Sequence, residues 1–77
     1  MKEEIRTLLE EVVPLADPDS DFLFADLDSL GVAAILMALS DKYGITLEAE
    51  DATPKNFKNL DNIVAMVERK IANNENN

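Results

Sequence analysis

The sequence predicts an all-α fold: a small bundle of three main helices plus one short helix, with a long first loop. Three stretches carry apolar residues at helical spacing, and segments rich in proline, glycine and aspartate separate them. The 77 residues are enough for one small domain and contain no internal repeat. We therefore expect a single domain over residues 1–72 and a frayed polar tail at 73–77.

The first helix is predicted over residues 2–13, where Pro14 ends it at Val13. Its buried face is formed by apolar residues at i, i+3, i+4 and i+7: Ile5, Leu8, Leu9 and Val12. The connection at 14–28 is rich in turn-forming residues, and a loop of this length in a small domain needs anchors. The expected anchors, packed against the helices, are its apolar side chains: Phe22, Leu23, Phe24 and Leu27.

The second helix is predicted over residues 29–43, with Ser29 as its N-cap and Gly44 as its C-terminal stop. Between Leu30 and Leu39 every residue except Gly31 has an apolar side chain. A helix that is apolar on every side cannot be fully buried in so small a bundle, so part of it should be exposed. Exposed apolar surface is typical of a contact site.

Residues 45–59 are predicted to be a loop with one short helical turn at 48–52 and a core anchor at Phe57. The last helix should run from Leu60 to Ala72, because its apolar residues again have helical spacing. Asn59 is a plausible N-cap for it.

The composition excludes several classes of function. The chain has no cysteine and no histidine, which removes a disulfide framework, a thiolate nucleophile, a histidine base and the usual zinc ligands. The net charge of −9 argues against nucleic acid and favours basic partners. The charged N-terminus is unlike a signal peptide, and the longest apolar run is too short for a bilayer. We expect a cytoplasmic, monomeric protein without membrane insertion.

One acidic motif invites a metal interpretation. Asp17, Asp19 and Asp21 are spaced like the opening of a calcium-binding loop. Phe22, however, stands where that loop requires glycine, and Asp28 stands where it requires a bidentate glutamate. An acidic, solvated turn is the better interpretation, and no metal site is predicted.

The residue that could carry chemistry is Ser29. Its simplest role is that of a helix cap, and without a histidine it cannot act as a nucleophile on its own. Another protein's active site could nevertheless reach it at the head of a helix. Asp28-Ser29-Leu30 resembles the signature of acyl carrier proteins, and the resemblance continues through Ile35–Leu39 to Tyr43-Gly44-Ile45. The order and lengths of the remaining segments also match that family, so the resemblance covers nearly the whole chain.

The resemblance implies that Ser29 carries a 4'-phosphopantetheine arm, transferred from coenzyme A by a phosphopantetheinyl transferase. Asp28 would help to position the transferase and its metal. The thiol of the arm would hold acyl groups as thioesters for acyl-transferring and acyl-modifying enzymes with basic or apolar docking patches. The chain itself would be a carrier and not an enzyme. The partner-facing residues of the second helix would be Leu30, Ala33, Ala34 and Met37, although Met37 could instead fill the core.

The resemblance also indicates a branch of the family. Peptidyl carriers usually have Gly-Gly before the modified serine, whereas this chain has Asp26-Leu27-Asp28, which favours the acyl branch. The family's second helix is usually acidic, but here Asp41 is its one acid. We therefore expect a specialised carrier for fatty acid, polyketide or related lipid biosynthesis. The alternative is an unmodified helical module that binds a partner protein through the same apolar residues.

Overall fold

A computed structural model describes the backbone of residues 1–75 and the side chains of residues 1–73. Helix α1 spans Lys2–Val12, α2 spans Ser29–Tyr43 and α3 spans Leu60–Glu75. Two short 3-10 turns lie between them, the first at Leu23–Asp26 and the second at Ala49–Asp51. The described residues contain no strand, so the predicted all-α bundle with a short extra turn before the last helix is confirmed. None of the helices in this part of the chain has the length and apolarity that crossing a bilayer requires.

The ends of the helices lie where local chemistry places them. Helix α1 stops before Pro14, and the last bond of its ladder runs from the Val13 N–H to the Leu9 carbonyl at 2.8 Å. Helix α2 ends at Gly44, whose φ of +62° is in the left-handed region that glycine adopts without strain. Asn59 caps α3 as predicted, since its Oδ1 accepts a hydrogen bond from the Asn62 N–H at 2.9 Å.

Helix α3 continues to Glu75, three residues beyond the expected end at Ala72. No glycine or proline follows Ala72, so the sequence holds no residue that would stop the helix there. Residues 76–77 of the expected tail lie outside the described residues. The fraying of the tail and the boundary of the domain at residue 72 stay predictions.

The core lies between the three helices, with α1 packed against both α2 and α3. Phe57, from the loop before α3, is completely buried, which confirms it as an anchor. Its ring meets Phe24 edge to face, with 6.5 Å between the ring centroids and 85° between the planes. The other side chains that are almost fully inaccessible are Ile5, Leu9, Leu23, Ile35, Leu39, Ile63, Met66 and Val67.

The long first loop is anchored by three of its four expected residues. Leu23 is buried, and its N–H donates to the Lys58 carbonyl at 2.9 Å; Phe24 and Leu27 pack against the core from its edge. The expectation for Phe22 is wrong, because its side chain is 73% exposed. Leu23 takes the core position at the start of the first 3-10 turn, which directs the side chain of its neighbour towards solvent.

Candidate functional site

Ser29 is the first residue of α2, but it is not the cap of that helix. The N-cap is Asp28, whose backbone is extended and whose Oδ1 accepts a 2.7 Å hydrogen bond from the Gly31 N–H. The expected capping role of Ser29 is therefore wrong. Both residues are good caps, and the extended backbone at Asp28 decides between them. Because Asp28 caps the helix, a capping role cannot explain the presence of a hydroxyl at Ser29.

Among the three serines of the chain, Ser29 stands apart by its exposure. Ser20 is half-buried, and its Oγ accepts a hydrogen bond from the Phe22 N–H at 3.0 Å. Ser40 is half-buried inside α2. Ser29 is exposed, and no hydrogen bond to its Oγ is found within the described part of the chain. It therefore presents a primary alcohol to solvent at a helix N-terminus, where the helix dipole favours a negatively charged substituent.

The exposed face of α2 carries large apolar side chains. Leu30 is 80% exposed and Met37 is 70% exposed, with Ala33 exposed and Ala34 half-buried between them. Met37 thus does not fill the core. These four residues share one stripe of α2 but border different depressions. Leu30 and Ala34 border a groove on the side of α1, whereas Ala33 and Met37 border one on the side of the second 3-10 turn.

Ser29 opens onto a third, mainly apolar groove of about 410 Å³. Asp28 and Ser29 are the polar residues among those that line it. Its apolar walls come from the first loop, α2 and the second 3-10 turn: Phe24, Leu27, Val32, Ala33, Leu36, Ala49 and Ala52. Sequence analysis missed Ala49 and Ala52 as wall residues, and no local pattern marks them, because they reach the groove only through tertiary packing.

An ion pair holds the second 3-10 turn against α3. Lys70 Nζ lies 3.0 Å from Asp51 Oδ1, and Asp51 Oδ2 accepts a hydrogen bond from the Glu48 N–H at 2.9 Å. Burial alone would raise the pKa of Asp51, but this hydrogen bond and the Lys70 ammonium outweigh burial and place the pKa below its ordinary value. The adjacent Glu50 has a raised pKa, because its carboxyl shares a hydrogen bond with the like-charged Glu48. The second 3-10 turn, which contributes to the wall of the groove beside Ser29, is thus linked to α3 by an ion pair.

The acidic loop at 17–21 uses its side chains locally. Asp17 Oδ1 accepts a hydrogen bond from the Asp19 N–H at 2.9 Å, and Asp19 Oδ1 lies 2.9 Å from Arg6 Nη2 on α1. Within residues 1–73 no three acidic side chains converge in a way that could hold a metal ion. The ion pair between Asp19 and Arg6 therefore holds this loop against α1.

The fit of a prosthetic group can be tested on these contacts. A group attached through a phosphodiester needs an exposed hydroxyl, and the apolar parts of an arm gain from an apolar groove that the attachment residue lines. Ser29 meets the first need and the groove meets the second. The residues present therefore fit a phosphopantetheine arm.

Comparison with known proteins places the chain in a family. The family described as "Phosphopantetheine attachment site" matches residues 2–67, which include all of α1 and α2 and the first half of α3. Searches of curated proteins and of solved structures gave no significant match. The prosthetic group of the family is covalently attached 4'-phosphopantetheine. The chain belongs to the phosphopantetheine-attachment family and is a carrier domain of the acyl carrier protein type.

Proposed function

We propose that Ser29 is the attachment residue and that the chain is an acyl carrier without catalytic activity of its own. The observation that carries this proposal is the contrast between the three serines. Ser29 is the one exposed serine, its hydroxyl has no hydrogen bond within the described part of the chain, and it lines an apolar groove. When attached there, the group supplies a terminal thiol that holds acyl units as thioesters.

Each residue around Ser29 has a defined task in this proposal. The Ser29 hydroxyl receives the phosphopantetheine that a transferase takes from coenzyme A. Asp28 uses Oδ1 to cap α2, which leaves Oδ2 for contact with the transferase and its metal. The apolar walls of the groove exclude water from the apolar parts of whatever Ser29 holds. The lack of histidine and cysteine supports assigning the catalytic steps to partner enzymes.

The pathway proposed is fatty acid, polyketide or related lipid biosynthesis, served by dedicated partners. Partner enzymes would meet the stripe of α2 formed by Leu30, Ala33, Ala34 and Met37. The first turn of α2 contains no acid, and the exposed Asp41 is the one acid of the whole helix. Partners that read this surface must therefore depend more on apolar contact along α2 than on charge. This feature supports a specialised carrier.

The test is intact-mass measurement after incubation with coenzyme A and a broad-specificity phosphopantetheinyl transferase. The natural sequence should gain the mass of one phosphopantetheine group, and Ser29→Ala should gain none. Ser20→Ala and Ser40→Ala are matched controls that should be modified in full. An unchanged mass for the natural sequence, beside a known carrier that is modified, would count against the proposal and in favour of an unmodified interaction module. Full modification of Ser29→Ala would place the attachment elsewhere.

A further inference from the structure

The chain carries all of its sulfur in three methionines, because it has no cysteine. Met66 is 1% exposed and lies in the core, whereas Met37 is 70% exposed on α2 and Met1 is 41% exposed at the start of the chain. Oxidation of a thioether requires contact between the oxidant and the sulfur, so it follows exposure. Met37 is therefore the methionine that an oxidant in solution reaches most readily.

The neighbours of Met37 on α2 leave its thioether uncovered. On a helix surface, the side chains that can cover a residue are those three and four positions away. Here these positions hold short side chains: Ala33, Ala34, Ser40 and Asp41. Met37 also borders the groove towards the second 3-10 turn, yet it stays 70% exposed. The exposure of its sulfur is thus a result of the sequence around it.

A change of polarity at Met37 matters more in this chain than it would beside an acidic second helix. Asp41 is the one acid of α2, so a partner that meets this helix depends mainly on apolar contact. A sulfoxide replaces an apolar thioether by a polar, strongly hydrated group. Removing water from that group costs free energy unless a hydrogen bond replaces the water. Charge attraction, which oxidation leaves unchanged, contributes little along α2 to offset this cost.

We propose that Met37 is a reversible oxidation site and that its sulfoxide weakens the docking of partner enzymes on α2. In the forward step the Met37 sulfur donates an electron pair to one oxygen of hydrogen peroxide. The O–O bond breaks, an S–O bond forms, and the other oxygen leaves as water. In the reverse step a dithiol supplies the electron pair through a methionine sulfoxide reductase; the sulfoxide oxygen leaves as water and the dithiol becomes a disulfide.

The oxidation of Met37 would act on a loaded carrier. When the thiol of the arm holds an acyl group, its sulfur is blocked as a thioester, and the chain has no cysteine that could react in its place. Peroxide would then slow delivery of the acyl group without removing that group. This effect on docking rests on the proposed function, whereas the selective oxidation of Met37 does not.

The first experiment treats the unmodified, full-length chain with hydrogen peroxide and locates the added oxygen by mass spectrometry. Trypsin cuts after Lys2, Lys42 and Lys58, which puts the three methionines on separate fragments. Met37 should be oxidised at least about tenfold faster than Met66, because oxidation of a buried methionine requires opening of the fold. In concentrated urea the two rates should become similar. Equal rates in the folded chain would overturn the site.

The second experiment measures the initial rate of the phosphopantetheinyl transferase reaction after the peroxide has been removed, each variant against its own untreated sample. Oxidation should slow the natural sequence and Met66→Leu about fivefold or more, and should change Met37→Leu by less than about twofold. Leucine has a similar volume and apolarity but no sulfur to oxidise. Treatment with a methionine sulfoxide reductase and a dithiol should restore the rate, and circular dichroism reports that the oxidised chain is folded.

Three results of the second experiment would overturn the inference. An equal loss of rate in Met37→Leu would assign the effect to another residue. An unchanged rate for the natural sequence with Met37 fully oxidised would leave the sulfoxide without effect on docking, and a rate that the reductase does not restore would show that the change is irreversible. An untreated chain that the transferase does not modify would refute the proposed function and with it the effect on docking, while the first experiment alone decides the oxidation site.

Discussion

Replacing Asp28 by alanine should destabilise the fold, whereas replacing Ser29 by alanine should not. The 2.7 Å hydrogen bond from the Gly31 N–H to Asp28 Oδ1 is lost in the first variant and kept in the second. Loss of such a cap costs about 1 kcal/mol, and loss of the negative charge at the helix N-terminus adds about 0.3 kcal/mol at an exposed site. Alanine is a better helix former than serine by less than about 0.5 kcal/mol, so Ser29→Ala should be neutral or slightly stabilising.

A third variant separates the cap from the charge. Asparagine caps helices about as well as aspartate, so Asp28→Asn should lose only about 0.3 kcal/mol. If Asp28 also positions the transferase, Asp28→Asn should nevertheless be modified more slowly than the natural sequence. Stability and modification would then respond to different properties of one side chain.

The assay is urea unfolding followed by helical circular dichroism, with initial modification rates measured by intact mass. For a small domain, whose free energy of unfolding falls by about 1–3 kcal/mol per molar urea, a 1 kcal/mol loss should lower the urea midpoint by roughly 0.3–1 M. The reasoning is refuted if Ser29→Ala is destabilised as much as Asp28→Ala. That result would mean that Ser29 is the cap and that its hydroxyl is engaged in the fold.

Four other substitutions test the packing of the remaining segments. Leu23→Ala should cost about 2–5 kcal/mol, while Phe22→Ala should stay within about 0.5 kcal/mol in the same urea assay, and equal losses would contradict the assignment of the core. Gly44→Ala should cost about 1 kcal/mol through its positive φ alone, because no atom lies within 4 Å of the added Cβ; an unchanged unfolding midpoint would argue against the left-handed cap. Asp51→Asn should lose less than about 1 kcal/mol at neutral pH, because the ion pair with Lys70 is partly solvated. The pKa of Asp51 is lowered in the folded state. The contribution is therefore present above the unfolded pKa of about 3.9 and disappears as the pH falls through the folded pKa, so the unfolding curves of the two proteins should converge in acid.

The extent of the helices could be predicted from the sequence because single residues determine their ends. Pro14 cannot continue α1, Gly44 adopts the left-handed turn that closes α2, and Asn59 offers a cap for α3. The end of α3 had no such marker, and the prediction fell short there. Where a strong stop signal exists, the local chemistry is sufficient.

The errors occurred where neighbouring residues have similar local chemistry. Asp28 and Ser29 are both good caps, and the choice depends on a backbone angle that the preceding loop imposes. Phe22 and Leu23 are both large and apolar, and a four-residue 3-10 turn is too short to show a period. The grooves could not be predicted for a third reason: their walls come from segments far apart in the chain. The assignment of Ser29 as the modified residue stays a prediction.

The groove beside Ser29 is walled in part by the two 3-10 turns, and these turns can open locally while the helices stay intact. The turns are closed by few bonds, such as Ala25 N–H to the Phe22 carbonyl and Ala52 N–H to the Ala49 carbonyl, both at 3.1 Å. Opening them breaks no bond in the ladders of the three helices. In hydrogen exchange, the amides of Ala25 and Ala52 should therefore exchange well ahead of those of Leu36 and Leu39. The cavity next to the carrier serine can change its volume through local openings that leave the bundle folded.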